Sequence, residues 1–206
     1  MKKTLLTIAV LGAFSLFGFS QAKPAKSIEG LKAAFNGEST ASAKYAKFAE
    51  AAKKEGLNNI ARMFLATSNA ESIHAANHKK VLTKLGETAG DPVIGAFEVK
   101  TTAENLADAS KGETYEMMFM YPGFIASAVS EKQNGAKKSF TWAMDTEKKH
   151  NDFYQKALAA LNAGTEKSFP GEWYVCPVCG NTYDGKTVAA TCDFCDTTKD
   201  KFNVFK

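Results

Sequence analysis

The pattern Glu-x-x-His occurs twice, as Glu71-Ser-Ile-His74 and Glu147-Lys-Lys-His150, and both copies lie in stretches with helical periodicity. A spacing of three places each glutamate and its histidine on one helical face. Steps of three and four in both directions give Ile60, Phe64, Thr67, Glu71, His74, His78, Val81 and Leu85 on one helix. On another they give Ala136, Phe140, Ala143, Glu147, His150, Tyr154, Ala157 and Leu161. Two more stripes have the same character: Leu31, Phe35, Glu38, Ser42, Tyr45, Ala49 and Ala52, then Thr102, Leu106, Ala109, Glu113, Glu116 and Met120. Each is apolar toward its ends and acidic near its middle, at the spacing of a bundle-facing seam. Four helices that bring acids inward at one depth describe a mainly α four-helix bundle with a charged centre.

Proline is scarce between Ser27 and Ala163, while alanine, lysine, glutamate and leucine are common, as in a helical segment. Breaks fall at Gly56 with Asn58 and Asn59, at Gly86 to Pro92, and at Asn134-Gly135. Helices are therefore expected over 28–54, 58–85, 94–132 and 136–162, the third kinked at Pro122 because proline removes a backbone hydrogen bond. The run Met117, Met118, Phe119 and Met120 beside Glu116 reads as buried. Glu38 stands 33 residues before Glu71, and Glu113 stands 34 before Glu147, so the first and second helix pairs carry one duplicated pattern.

Ionised carboxylates crowded into an apolar interior repel one another and lose their hydration. Bound cations remove both problems. A carboxylate-bridged metal pair in a bundle takes one glutamate from each of two helices and Glu-x-x-His from each of the other two. Glu38, Glu71, His74, Glu113, Glu147 and His150 supply all six. Mixed oxygen and imidazole ligation favours iron or manganese over calcium or magnesium. Glu116 is a seventh candidate. Four carboxylates balance two divalent ions, and oxidation of both adds positive charge that is expensive in a low-dielectric site. A fifth carboxylate one turn along offsets it. His78, one turn beyond His74, reads as a pocket residue beside the ligands.

After 164–171, a linker-like stretch, all four cysteines fall in the last 31 residues, as Cys176-Pro-Val-Cys179 and Cys192-Asp-Phe-Cys195. Two such knuckles twelve residues apart form one tetrahedral four-cysteine site. Gly180 lets backbone amides turn toward the sulfurs, and Trp173, Tyr174, Tyr183, Phe194, Phe202 and Phe205 are the aromatic residues available to shield it. Zinc makes this a structural ribbon and iron a one-electron carrier; two disulfides are the third alternative. The tail is too short for a sizeable core, and a metal is its natural staple.

At the other end, Lys2 and Lys3 precede an apolar run from Leu5 to Phe19, followed by Ser20-Gln21-Ala22. That is the form of a secretory signal peptide cut near Ala22, too short to span a membrane. It predicts a periplasmic or otherwise exported protein with no membrane segment after cleavage. The whole chain carries a formal +4, and loss of residues 1–22 removes two lysines and no acids, leaving +2. Neither value makes a case for nucleic acid. At 206 residues, 45% hydrophobic, the chain accommodates one ordinary domain, expected over 27–163, and a small one over 172–206.

With both sites in view, the chain resembles the rubrerythrin family, through "AFNGESTASAKY", "AESIHAANH", "GETYEMMFMYP", "EKKHNDF" and "YVCPVCGNTYDG…CDFC". The resemblance implies a ferritin-like bundle with a rubredoxin-like C-terminal domain. It implies a non-haem di-iron site cycling between Fe2+ and Fe3+ on Glu38, Glu71, His74, Glu113, Glu116, Glu147 and His150, and a single iron on Cys176, Cys179, Cys192 and Cys195. The activity implied is reduction of hydrogen peroxide to water, with one iron shifting between Glu116 and His74 and with Tyr45 and Tyr121 beside the centre. It also implies a head-to-tail homodimer or higher oligomer in which one subunit's four-cysteine site serves its partner's metal pair. Export sets a different electron donor, a cytochrome or small redox protein. The rival readings are a ferroxidase or iron store, and a non-catalytic bundle with a zinc ribbon.

Overall fold

The computed structural model describes residues 23–206; the segment read as a signal peptide lies outside the described residues. Helix α1 spans Ala25–Lys54 and α2 spans Asn58–Lys84. Gly56, at φ 79°, closes α1 in a left-handed turn, with Leu57 N–H bonded to Ala52 O and Gly56 N–H to Lys53 O. The chain thus doubles back within three residues, and α1 and α2 form an antiparallel pair.

α1 begins three residues before the expected position 28. Its opening amides at Lys26 and Ser27 donate to the two carboxylate oxygens of Glu131, at 3.0 and 2.8 Å. A carboxylate there satisfies orphan donors and complements the helix dipole.

The third helix, expected from 94, starts at Thr102: α3 spans Thr102–Tyr115. Thr101 and Glu104 form a reciprocal capping box that fixes its start. Residues 86–101 are instead a strap laid along α1. Val93 N–H bonds to Asn36, Gly95 N–H to Thr40, and Thr102 N–H to Glu55 near the end of α1. The strap carries the chain the length of the bundle, so α2 and α3 run in the same direction, the long crossover of ferritin-like folds.

Pro122 does not simply kink the third helix. Glu116–Met120 form a π-helical turn, after which α4 (Tyr121–Ser130) begins with proline in its first turn, where no N–H is required. The widened turn rotates the residues that follow. Met118 and Phe119 therefore lie on the outer face, 58% and 68% exposed, contrary to their reading as core. α5 spans Asn134–Asn162. No helix among the described residues is long and apolar enough to cross a membrane.

The interior contains two apolar clusters. One holds Tyr45, Phe48, Phe64 and Tyr154; the other holds Leu31, Leu82, Tyr121 and Phe140. The acidic residues of the four stripes lie between these clusters along each helix.

The tail forms a three-stranded antiparallel sheet in the order β2 (Thr182–Asp184), β1 (Trp173–Val175), β3 (Asn203–Phe205). Successive residues of a strand face opposite sides. Trp173 and Val175 join the bundle's apolar cluster, with the Trp173 ring 4.9 Å from that of Phe153, while Tyr174 packs on the cysteine side. Of the aromatics expected around the cysteines, Trp173 and Phe205 belong to the bundle, while Tyr174, Tyr183, Phe194 and Phe202 surround the sulfurs.

Candidate metal centre

Glu38 comes from α1, Glu71 and His74 from α2, Glu113 from α3, and Glu147 and His150 from α5; none is more than 1% exposed. Their ligand atoms converge in two groups, each within 4.8 Å: Glu38, Glu71, His74 and Glu147, and Glu71, Glu113, Glu147 and His150. Glu71 and Glu147 belong to both. The geometry is a pair of positions spanned by two shared carboxylates and closed at each end by one glutamate and one histidine.

Both histidines turn Nδ1 inward. His74 Nδ1 lies 2.9 Å from Glu71 and 3.0 Å from Glu147; His150 Nδ1 lies 2.9 Å from Glu71 and 2.8 Å from Glu147. His150 Nε2 is 2.9 Å from Thr182 Oγ1, whose own proton goes to Gly180 O. Thr182 is therefore the acceptor for His150 Nε2–H, which leaves the Nδ1 lone pair for the centre.

The electrostatics require cations. Glu38 Oε2 is buried without a hydrogen-bond partner, and Glu71 Oε1 and both Glu147 oxygens are buried facing only the two histidine Nδ1 atoms, a costly state for charged groups. Without metal, protons replace them. Burial, then neighbouring carboxylates, push Glu38 and Glu113 well above the usual carboxylate range. Burial opposes charge on the histidines too, but Glu147 and Glu71 outweigh it and raise His74 to about 10 and His150 to about 9. Burial likewise works against ionised Glu71, yet the two histidines hold it down to about 2. The donor set and its orphaned oxygens fit a pair of iron ions.

Glu116 opens the π turn, half-buried and outside both groups. It is close enough to Glu147 and Glu71 that, after burial itself, they raise its pKa well above normal. Two tyrosines brace the end carboxylates crosswise. Tyr45 on α1 donates to Glu113 on α3 at 2.7 Å, and Tyr121 at the start of α4 donates to Glu38 on α1. Tyr45 follows Glu38 by seven residues and Tyr121 follows Glu113 by eight. The π turn accommodates the extra residue and keeps the duplicated arrangement. His78 is fully buried but belongs to neither ligand group.

The four cysteines form the third convergent group and are free thiols. Cys176 and Cys195 sulfurs are 3.5 Å apart and Cys179 and Cys192 sulfurs 3.4 Å apart. One metal with ~2.3 Å bonds holds four sulfurs at about 3.8 Å, so the group fits one tetrahedral ion and not two disulfides. Gly180 and Asp196 take positive φ at equivalent positions of the two knuckles.

The four-cysteine unit sits against the metal pocket of its own chain. A Cβ on Gly180 would overlap the His74 ring, so the first knuckle's backbone lies directly on the outer edge of that ligand. Thr182 meets His150, and Lys149 reaches across to Asn181 at 2.8 Å and Asp193 at 3.2 Å. The contact is made within one chain. Thr182 and Ser139, the hydroxyl partners of His150 and His78, are not marked by any sequence pattern; only their place in the fold singles them out.

The fold and sites define a class: ferritin-like bundles with a di-iron centre of carboxylates and histidines, joined to a rubredoxin-like four-cysteine unit. Known proteins agree with that class. The Rubrerythrin family description matches residues 29–158. Nigerythrin of Nitratidesulfovibrio vulgaris is 33% identical over 192 residues, 93% of each chain, and Rubrerythrin-2 of Clostridium acetobutylicum is 34% identical over 89% of this chain and 98% of its own. A solved structure of nigerythrin in its fully reduced, all-ferrous state superposes with TM-score 0.77 at 34% identity, over 87% of this chain and 86% of that one. The chain belongs to the rubrerythrin family.

Proposed function

We propose that this rubrerythrin-family oxidoreductase reduces hydrogen peroxide to water, drawing electrons through its four-cysteine site. The observation that carries the reading is the direct seating of the cysteine knuckles on both site histidines, Gly180 on His74 and Thr182 on His150. An iron store has no use for such a junction. The carboxylate–histidine groups and the four cysteines would hold iron, which would supply electrons, two from the pair and one at a time from the four-cysteine site. The protein's residues set the conditions. Tyr45 and Tyr121 hold Glu113 and Glu38, and apolar clusters flank the acidic layer. Glu116, beside Glu147 and Glu71, would offer a further carboxylate to a more highly charged pair. The 1–22 segment supports export, with a cytochrome or small redox protein as donor. The exposed Tyr115 and Phe119, stacked with ring centroids 6.1 Å apart, support homodimer formation through that face.

The test is stopped-flow mixing of anaerobically reduced protein with peroxide or with dioxygen, followed by visible absorption. Faster oxidation by peroxide is expected; faster oxidation by dioxygen overturns the assignment. Cys176→Ser should leave one round of di-iron oxidation intact and abolish steady-state turnover.

A further inference from the structure

His78 has no place in either ligand group, yet its two ring nitrogens are both engaged. Nδ1 lies 2.8 Å from Ser139 Oγ and Nε2 lies 3.2 Å from the Tyr121 hydroxyl. Tyr121 in turn donates to Glu38 Oε1. That last bond fixes the direction of the others. With its proton committed to the carboxylate, Tyr121 accepts from His78 Nε2–H; His78 Nδ1 is then a lone pair and accepts from Ser139 O–H. Three hydrogen bonds point one way, toward the metal pocket. At the outer end, Ser139 lines a surface cavity of about 230 Å³ with Asn77, Lys80, Lys84, Lys138 and Trp142.

The duplicated half of the bundle provides the contrast. The position equivalent to His78, four residues beyond its Glu-x-x-His histidine, is Tyr154. Tyr154 packs against Tyr45 as His78 packs against Tyr121, but its ring neighbours are Phe64 and Tyr45, and its hydroxyl faces Thr67, whose own proton goes to Phe64 O. One half ends in apolar core; the other continues to the surface.

We propose that Ser139, His78 and Tyr121 form a proton wire that carries protons from the cavity into the dimetal pocket at Glu38. The inference rests on the peroxide-reductase reading, because reduction of one peroxide by two electrons requires two protons to give two waters. In each passage, a hydrated proton from solvent in the cavity passes to Ser139 as Ser139 passes its own to His78 Nδ1. His78 releases its Nε2 proton to Tyr121, and Tyr121 releases its hydroxyl proton at Glu38. One passage delivers one proton and leaves His78 in the other tautomer; the imidazole must turn over, and the hydroxyls rotate, before the second proton passes. Burial, then the nearby His74, push the His78 pKa down to about 3, so the ring transmits a proton without retaining a charge.

Long-range proton–nitrogen NMR of the full chain loaded with zinc, which is diamagnetic, reads the wire without turnover. His78 is expected as the Nε2–H tautomer, and Tyr121→Phe should convert it to Nδ1–H. An Nδ1–H ring in the unaltered protein overturns the direction. In single-turnover oxidation by peroxide, His78→Leu and His78→Gln should both retain iron and slow the reaction tenfold or more, with a changed solvent isotope effect. An unaltered rate and isotope effect in both variants overturns the proposal, and recovery by glutamine alone assigns His78 a packing role. Ser139→Ala, at the cavity wall, should give the same slowing where a His78 variant fails to fold. Absence of any peroxide reaction would refute the functional reading, while the tautomer would still report on the wire.

Discussion

The two ends of the metal site are near copies that differ in what stands behind them. Behind Glu113 lie Tyr45, then Tyr154, Phe48 and Phe64, a mainly aromatic wall. Behind Glu38 lie Tyr121, then His78 and Ser139, a polar thread to the surface. Duplication accounts for the matching carboxylates and tyrosines. Only a difference in task accounts for one copy being sealed and the other vented. One end is built to hold metal, the other to hold metal and exchange protons.

Glu71→Ala should have the largest effect, because Glu71 is shared by both ligand groups. Metal analysis after anaerobic loading should show both bundle irons lost and the four-cysteine iron kept; retention of one bundle iron would show that the ends are independent. Next comes the tyrosine pair. Tyr121→Phe should slow single-turnover oxidation about 100-fold, within the usual range for a lost proton donor, and Tyr45→Phe by less than about threefold; equal losses erase the distinction. Glu116→Ala, expected to retain iron while losing about tenfold in peroxide rate, tests whether the π-turn carboxylate acts in redox change or only in binding.

Metal loading should depend on pH in a set direction. His74 and His150 hold protons until about 10 and about 9 in the metal-free site, so a cation must displace them and binding weakens as pH falls. Zinc calorimetry across pH 6–9 in buffers of differing ionisation enthalpy measures the proton release. The smallest effect belongs to Tyr154→Phe. Removing a buried hydroxyl whose polar neighbour, Thr67, already donates to Phe64 O should change stability by no more than about 1 kcal/mol, read by thermal unfolding.

The convergence of these carboxylates and histidines was legible because each lies on a stripe whose period is set by helix geometry, and a glutamate seldom occupies such a stripe without a polar or charged counterpart. Which carboxylates are shared was not legible, since that depends on how helices rotate against one another. The start of α3 was legible in principle: Thr101-Thr-Ala-Glu104 is a capping box in the sequence itself. The break at Pro122 was legible but its form was not. A π turn and a kink share a sequence signal, and only the former moves Met118 and Phe119 outward. In the tail, cysteine spacing marked the site, while the placement of Trp173 depended on where the bundle lay relative to β1.

Glu131, which closes the first turn of α1 from 104 residues away, has a consequence in time. A chain that emerges N-terminus first makes the helix bearing Glu38 early but cannot complete its opening turn until α4 has formed. The vented end of the site is thus finished late. Before α4 forms, α5 is absent too, and with it Glu147 and His150, so the carboxylate cluster closes only when the last helix has docked.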